Sequence, residues 1–406
     1  MATGSLDRGL FRVDTLQVQS NVLEGHGAGP IALLQGAGSS DFELRAQVAS
    51  LAPLRRLAGT SSLQLRTGQL TAHVYGPPEA QRFDGTVDLE GLIYNGMRLS
   101  DATASFDGQR GASQPLDRAT ITGTAGYLSA FDLTATRTHV EADYDGTTVD
   151  LSADVQLDSK RRVQADTRIR PTADSTTLEL RRLTARLGPD QWSLRRPASI
   201  TIGTAYRVDA LLLEDGAQRI EANGVVDPTG TQDFTASLEQ VRLRGIAPLL
   251  GLSGLGGSAT GRVRLTGAAT APVFDGTLDL DLRSEDRAVG TLQLDVAYEE
   301  LSASLDARLS HRKGRALTVS GSVPADLRLQ APAPTSLSDR PVRIEASTDQ
   351  FPLDWVDPFF DPATVRSITG TLTADARVQG TLGAPELSGT ASVAGAGASL
   401  PPINTT

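Results

Sequence analysis

Paired carboxylates at two-residue spacing are the feature of this sequence closest to a catalytic pattern. Glycoside hydrolysis requires two carboxyl groups on either side of the scissile bond. Asp279 and Asp281 lie two residues apart in an alternating segment, so they share one face of a strand. The chain has 48 acidic residues in all, and Asp recurs at many polar strand positions. The pattern therefore indicates a solvated sheet face rather than an acid–base pair.

The other residue types that carry chemistry are sparse. The four histidines, His26, His73, His139 and His311, show no metal-ligand spacing, and each is predicted to be a surface or turn residue. No G-x-S-x-G nucleophile motif is present, and the chain has no cysteine, which excludes thiol nucleophiles and cysteine-based metal sites. The sequence predicts a protein that is not an enzyme, with no catalytic, cofactor-binding or metal-binding residues.

Charge and hydropathy exclude further classes of function. The net charge of −10 and the pI of about 5.0 argue against nucleic acid as a partner, because phosphate binding needs a basic surface. No run of 18 apolar residues is present, so no transmembrane helix is predicted. Residues 1–8 lack the basic and apolar regions of a signal peptide. We expect the sequence to be an internal fragment of a longer protein.

Alternation of apolar and polar residues is the commonest pattern along the chain, and it predicts strands with one apolar and one polar face. Short Asp-Gly and Asn-Gly dipeptides between such segments favour hairpins and antiparallel neighbours. Short helices or turns are predicted at 51–57, 246–252 and 355–365, each near a proline. The predicted strands include 63–66, 149–157, 206–212, 277–282, 291–298 and 325–329. The predicted hairpin dipeptides are Asp84-Gly85, Asn95-Gly96, Asp107-Gly108, Asp145-Gly146, Asp215-Gly216 and Asp275-Gly276.

Internal repetition points to one elongated β-rich protein rather than to separate compact domains. The heptapeptide Phe83–Leu89 returns as Phe274–Leu280, which is 191 residues later (274 − 83). A second set of positions recurs after 113 residues (370 − 257): Gly257, Gly267, Pro272 and Gly276 return as Gly370, Gly380, Pro385 and Gly389. Upstream of these positions the shift is 110 residues (350 − 240). We therefore expect function to reside along a surface rather than in one reactive pocket.

Several of these segments resemble one family of envelope proteins. The block Gly370–Thr390 looks like the repeated motif of the translocation and assembly module subunit (TamB) family, within the AsmA-like group. Leu183–Gly188, Trp192–Leu194 and Pro197–Ile200 look like the segment that precedes such a repeat, and Gly321–Leu327 resembles the strand entry of the family. The order and spacing of these segments carry the resemblance, which is strong from about residue 178 to 402.

The resemblance implies a fold, a location and partners. The expected fold is all-β: a long, repetitive, mostly antiparallel curled sheet, called a β-taco or U-shaped gutter, with an apolar inner groove. Members of the family are anchored in the inner membrane of double-membraned bacteria and span the periplasm. They are implicated in moving phospholipid toward the outer membrane and in assembling outer-membrane proteins with a TamA-type barrel. This sequence shows neither the anchor nor a recognisable partner-binding domain.

The leading hypothesis is accordingly a non-enzymatic conduit for phospholipid acyl chains, part of a bridge between the inner and outer membranes. The predicted divisions are a divergent β-repeat region at 1–177, a central repeat at 178–343 and the start of another at 344–406, within one continuous β-structure. The predicted groove lining is aliphatic: Val149, Leu151, Val155, Leu157, Val208, Leu212, Leu278, Leu280, Leu282, Leu292, Leu294, Val296, Leu327 and Leu329. The same aliphatic stripe is also compatible with an ordinary packed core.

Two other classes of function remain open at this stage. A scaffold or chaperone could offer β-strand edges to outer-membrane barrel proteins, and it would need a long, unpaired edge strand with few charges. A surface adhesin or polysaccharide-active solenoid would need coils of about 20–30 residues. The repeat spacing of 110–113 residues argues against this last class.

Overall fold

A computed structural model describes residues 1–20, 22–48, 63–110, 116–130, 133–247, 255–284, 287–330, 335–359 and 367–399. The described part of the chain is nearly all β, with 76% of its residues in strands and 4% in helices. The prediction of an all-β antiparallel fold is confirmed. Contacts divide the chain into two compact units, residues 1–188 and 189–406. The predicted repeat boundaries at 177/178 and 343/344 stay predictions.

The first unit contains fifteen named strands in its described part and a 3₁₀ turn at Pro78–Ala80. The strands are β1 (Ala2–Asp7), β2 (Leu10–Gln19), β3 (Leu23–Ala32), β4 (Ser40–Val48), β5 (Leu63–Gln64), β6 (Thr67–Gly76), β7 (Arg82–Glu90), β8 (Leu92–Tyr94), β9 (Met97–Gln109), β10 (Arg118–Ala130), β11 (Leu133–Ala135), β12 (Arg137–Tyr144), β13 (Val149–Gln156), β14 (Arg161–Pro171) and β15 (Ser175–Leu187).

The second unit contains the remaining strands, a short α-helix at Leu243–Ile246 and a 3₁₀ helix at Leu353–Phe359. The strands are β16 (Asp190–Leu194), β17 (Ala198–Gly203), β18 (Tyr206–Asp215), β19 (Gln218–Val226), β20 (Thr231–Arg242), β21 (Gly256–Ala268), β22 (Ala271–Ser284), β23 (Arg287–Glu299), β24 (Ser302–His311), β25 (Ala316–Pro324), β26 (Arg343–Pro352), β27 (Ser367–Thr381) and β28 (Ala384–Ser399).

Strand pairing follows chain order within each unit. From β18 to β28 every strand pairs antiparallel with the next one along the chain. In the first unit the long strands pair in the order β1, β2, β3, β4, β6, β7, β9, β10, β12, β13, β14 and β15. Such a meander needs only short connections, as the turn dipeptides indicate.

Half of the six predicted hairpin dipeptides lie at strand ends. Asn95 and Gly96 both have positive φ (47° and 84°) and form the two-residue turn between β8 and β9. Asp145-Gly146 and Asp215-Gly216 lie at the β12–β13 and β18–β19 connections.

The other three dipeptides, Asp84-Gly85, Asp107-Gly108 and Asp275-Gly276, lie inside strands β7, β9 and β22, so their prediction as turns is wrong. Glycine inside a strand marks a place where another group comes close to the backbone or where the sheet leaves space, and not a reversal of the chain.

Segment 325–329 is also not a strand, contrary to the alternation of its residues. Its backbone amides bond to groups at strand ends. The N–H of Ala325 donates to the Leu301 carbonyl, that of Leu327 donates to the Tyr298 hydroxyl at 3.1 Å, and that of Leu329 donates to the Ala269 carbonyl. The segment therefore crosses the β23–β24 and β21–β22 turns instead of pairing with a strand.

The main core of the second unit lies at the opposite ends of these strands. Buried side chains of Leu282, Val289, Phe351 and Trp355 form one cluster with Ala247 and Leu255, and Leu282 is 0% exposed. The 3₁₀ helix contacts β22, β23 and β27, so it reaches across the sheet from the end of β26. The predicted turns at 246–252 and 355–365 are described only up to residues 247 and 359, and the one at 51–57 lies outside the described residues.

The 113-residue repeat has a matching backbone geometry. Gly267 and Gly380 have φ values of 86° and 100°, and Gly257 and Gly370 have values of 106° and 121°. Gln240 and Gln350, related by the 110-residue shift, have φ values of 49° and 50°, and each donates its N–H at 3.1 Å to the hydroxyl of Thr260 or Thr373. Each lies in a bulge immediately before a short helical crossover.

Truncation of Leu282 tests whether this cluster holds the second unit together. We expect Leu282→Ala to lower the free energy of unfolding by about 2–5 kcal/mol, since the site is fully packed. Urea unfolding is followed by tryptophan fluorescence, as Trp192 and Trp355 both lie in this unit. Leu305→Ala, at a position that is 37% exposed on the same sheet face, is the control. Equal losses in the two variants would contradict the assignment of the core.

Candidate functional site

Strand register builds one continuous apolar face in the second unit. Residues directly opposite each other in paired strands share a face, so the pairings can be followed as rows across the sheet. One such row runs through Leu213, Ile220, Leu238, Gly261, Leu278, Leu294, Ala307, Val319, Ala346, Ala376 and Gly389. A neighbouring row runs through Leu211, Ala222, Ala236, Val263, Gly276, Val296, Leu305, Gly321, Ile344, Val378 and Leu387. Both rows consist only of aliphatic residues and glycine.

An open cavity of about 370 Å³ lies on this apolar face, across β20 to β23. The side chains that face it come from four neighbouring strands: Ala236, Leu238, Val263, Phe274, Leu278, Leu294 and Val296. Gly261 and Gly276 also line it and place no side chain in it. The lining further includes Ser237, Arg262 and Thr277, whose side chains the strand register places on the opposite face. The cavity can therefore hold hydrocarbon and offers no side-chain partner to a polar group.

The opposite face of the same strands carries the charges. One row across it from β21 to β26 consists of Arg262, Thr277, Asp295, Asp306, Ser320 and Glu345. Asp279 and Asp281 are exposed on this face, as predicted for a solvated surface. A polar cavity of about 600 Å³ on this face includes Asp279 in its lining and lies behind the apolar cavity.

Of the predicted lining residues in the second unit, Leu278, Leu294 and Val296 line the open cavity. Leu280 and Leu292 lie on the same face and pack against the core cluster. Leu282 follows at the end of this stripe but is sealed beneath the cluster, so it lies in packed core and not on an accessible surface.

A β-bulge separates two predicted residues that alternation places on one face. Val208 pairs with Gly224 and lies on the apolar face, but the register shifts between Val208 and Leu211, where Ala210 has a φ of 59°. Leu212 therefore pairs with Glu221 and points to the polar face, and Leu211 takes the apolar position.

Leu327 and Leu329 lie in the segment that crosses the strand ends, and they are 55% and 43% exposed. They cap one end of the sheet beside Tyr298, which is 2% exposed. They are thus not part of a strand-borne stripe.

In the first unit, Val149, Leu151 and Val155 share one face of β13 and pair with Ile169, Thr167 and Val163 of β14. Leu157 lies beyond the end of the strand, where its N–H donates to the Arg161 carbonyl. The opposite face of these strands holds ion pairs, such as that between Arg168 and Asp150, whose hydrogen bond holds the pKa of the aspartate below its usual range.

Some residues of the cavity were absent from the predicted lining. Leu238 and Val263 lie in alternating segments, Phe234–Leu238 and Gly261–Leu265, so the same rule of alternation could have identified them. Gly261 and Gly276 carry no such signal, because a glycine in a strand reads as a turn residue until the pairing is known.

His311 departs from the prediction that every histidine is a surface or turn residue. It is 3% exposed and lies opposite Gly290, in the same row as Leu282 on the apolar face, beside Asp354 of the 3₁₀ helix. Its Nδ1 accepts the N–H of Lys313 at 3.1 Å, and its Nε2 lies 3.0 Å from Asp354 Oδ1. Burial lowers the pKa of His311, an effect that Asp354 opposes and that Lys313 and Arg312 reinforce. This arrangement suits a neutral structural imidazole.

Asp190 is the most deeply buried carboxylate among the described residues, at 1% exposed. Its Oδ1 accepts from Arg242 at 2.6 Å and from Gln218 at 3.1 Å, and both of these side chains also bond to Asp215. The cluster ties β16 to the ends of β18, β19 and β20, which is a structural role.

The described residues contain neither a metal-ligand cluster nor a membrane-spanning helix. In that part of the chain, no three His, Asp or Glu side chains come together in a way that would hold a metal ion. No helix there has the length and apolar character needed to cross a membrane.

Comparison of the chain with protein-family models, with curated proteins and with solved structures found no match.

The buried state of His311 predicts a pH dependence. Because its folded pKa lies below the unfolded value of 6.5, the unfolded state binds more protons in between, so stability is full above pH 6.5 and falls as the pH drops below it. We expect His311→Gln to flatten this slope between about pH 7 and 5 in urea unfolding. The exposed His139→Gln is the control and should keep it.

Asp357 limits the range of this measurement. Burial raises its pKa, so its protonation on acidification favours the folded state and opposes the effect of His311. The same slope in wild type and His311→Gln above about pH 5 would show that His311 is not the titrating group.

Proposed function

We propose that this chain is a non-enzymatic lipid-binding protein whose apolar sheet face receives phospholipid acyl chains in passage across a bacterial periplasm. The observation that carries the proposal is the open, wholly apolar cavity on a face whose rows continue without a charged residue from β18 to β28 in the described chain. The periplasmic setting comes from the resemblance of 178–402 to the TamB family.

The energetics favour such a role. Each methylene removed from water contributes about 0.8 kcal/mol, so an acyl chain crossing an aqueous space in the open faces a large barrier. A continuous aliphatic surface lowers that barrier without any single strong binding site. Rows of Leu, Val and Ala provide such a surface.

The accessible part of the face is bounded at both strand ends. Leu282 and Trp355 fill one end, and the segment from Ala325 to Gln330 crosses the other, over Tyr298. Lipid contact is therefore expected at the middle positions of the strands, and movement would follow the rows from strand to strand. No transport step requires proton transfer or covalent chemistry.

Photo-crosslinking in cells tests this proposal. A photoreactive residue at Leu294, on the apolar face, should capture phospholipid, and one at Asp295, adjacent on the polar face, should not. Adducts are identified by lipid mass spectrometry. The two positions are consecutive in β23, so the two variants differ mainly in the face of the sheet that carries the photoreactive group.

Phospholipid captured equally at both positions, or at neither, would overturn the proposal. A charge on the accessible face gives an independent readout: Leu278→Asp should reduce lipid transfer, and the polar-face control Asp279→Asn should leave it unchanged. Transfer at the wild-type rate by a folded Leu278→Asp protein would count against passage along this face.

A scaffold for outer-membrane β-barrel proteins, assembled with a TamA-type partner, is the second candidate function, and strand β28 supports it. β28 has sixteen residues, all exposed, and Glu386 is its only charged residue. Within the described residues it pairs with β27 alone. Among the described residues, no strand lies along the edge of β28 that faces away from β27, and such an edge suits strand addition by a partner.

Strand addition predicts site-specific capture along β28. A photoreactive residue at Thr390 should form adducts with a strand of an outer-membrane barrel precursor, identified by peptide mass spectrometry. Ser347, in β26 between two paired strands, is the control and should form none. Absence of barrel-derived peptides at Thr390 would remove this candidate.

A further inference from the structure

Three glycines occupy equivalent positions in the repeats of this chain. Gly85 and Gly276 follow Phe-Asp in the two copies of the heptapeptide, and Gly389 lies 113 residues after Gly276 (389 − 276). Each lies on the apolar face of its own strand. The physical reason for glycine is not the same at all three positions.

Backbone geometry requires glycine at two of the three positions. A Cβ at Gly85 would collide with the Thr71 carbonyl oxygen, and one at Gly389 would collide with that of Asp375. Gly389 also has a φ of 120°, which side-chain-bearing residues rarely adopt.

Gly276 is under no such constraint. The heavy atoms nearest to a Cβ there would be Phe274 Cζ at 3.3 Å, Phe274 Cε1 at 3.5 Å and the Arg262 carbonyl oxygen at 3.6 Å. Its φ is not positive. A larger residue would stabilise a strand, since glycine in a strand interior costs conformational entropy and packs nothing. What glycine provides at 276 is therefore open space.

The equivalent space in the first unit is filled. Phe106, directly opposite Gly85 on β9, places its ring so that its Cζ lies 2.6 Å from the position of a Cβ at Gly85. Opposite Gly276 stand Val263 and Val296, whose short side chains leave the cavity of about 370 Å³ open.

We propose that the cavity floored by Gly276 is a holding site for one alkyl chain, at which a lipid in passage comes to rest. This inference rests on the proposed lipid-binding function and specifies where in the second unit the chain is held. The occupant is hydrocarbon because the side chains facing the cavity are all apolar.

The chemistry of the lining argues against a peptide occupant. The volume of about 370 Å³ lies near the lower end for small-molecule sites. An extended peptide would bring backbone N–H and C=O groups against apolar side chains that cannot pair with them, which costs free energy. A single alkyl chain brings no polar group into the cavity.

The test measures binding of dodecanoic acid carrying a diazirine to the purified protein, with crosslinked residues mapped by mass spectrometry. Gly276→Leu fills the cavity from its floor. We expect adducts at Leu278, Leu294 and Val296 to fall at least about tenfold, because displacing two methylenes already weakens binding by that factor. Thr277→Leu adds the same bulk on the opposite face and should leave these adducts unchanged.

Two further variants keep the test decisive. Val296→Trp fills the cavity from β23, so it replaces Gly276→Leu if circular dichroism shows the latter unfolded. Phe106→Ala should open a matching cavity over Gly85, and new adducts should then appear at Ala104 or Val87 in the first unit.

The outcomes separate the two proposals. Wild-type protein without adducts on the apolar face would overturn the lipid-binding function itself. Adducts spread along the apolar rows, and unchanged in a folded Gly276→Leu or Val296→Trp protein, would overturn the holding site and leave the function standing. Loss in both cavity variants, with Thr277→Leu unchanged, supports the holding site.

Discussion

The register of antiparallel pairing is the constraint on which the rest of this structure depends. Side chains in a strand point alternately to the two faces of the sheet. Apolar residues of neighbouring strands therefore meet only if the register pairs apolar positions with apolar positions. From Leu238 through Leu278 and Leu294 to Ala346, every pairing does so. Where the alternation along a strand goes out of step with its neighbour, a β-bulge shifts the register, as at Ala210, Gln240 and Gln350. The apolar face, its cavity and the charged opposite face all follow from this one rule.

Closure at the strand ends is the second determinant, and it uses different chemistry. Phe351 follows a bulge that turns it into the core, and the 3₁₀ helix after it brings Trp355 over Leu282. His311 is buried in the same region, and its Nε2 lies 3.0 Å from Oδ1 of the half-buried Asp354. Sealing this end leaves the middle of each strand as the accessible apolar surface. The second unit thus has a packed core and an open apolar surface on the same side of one sheet. The aliphatic stripe is packed core at the strand ends and accessible surface at the strand middles.

Alternation in the sequence predicted the strands and most of the apolar face, because side-chain direction in a strand is a local property. It did not predict features that depend on neighbouring strands. Leu212 changes face through a bulge, Leu282 is buried by a helix from elsewhere in the chain, and Asp275-Gly276 is a strand interior although the dipeptide favours turns. Leu327 and Leu329 alternate like strand residues, yet no strand lies beside them. The cavity could not be predicted either, because it forms where glycine and short side chains of paired strands leave space, and the pairing is not evident from the sequence.

The composition of the rows bears on how a lipid could move across them. Beyond the cavity, the row through Leu278 and Leu294 continues with Ala307, Val319 and Ala346, whose side chains are smaller. Smaller side chains give a hydrocarbon fewer contacts, so binding weakens along this direction. A conduit needs such a gradation, because a uniformly deep groove would retain its cargo. The cavity over Gly276 would hold an alkyl chain, and the smaller side chains that follow along this row would give it fewer contacts. A sheet that alternates the two would bind an alkyl chain locally and still release it to the next strands.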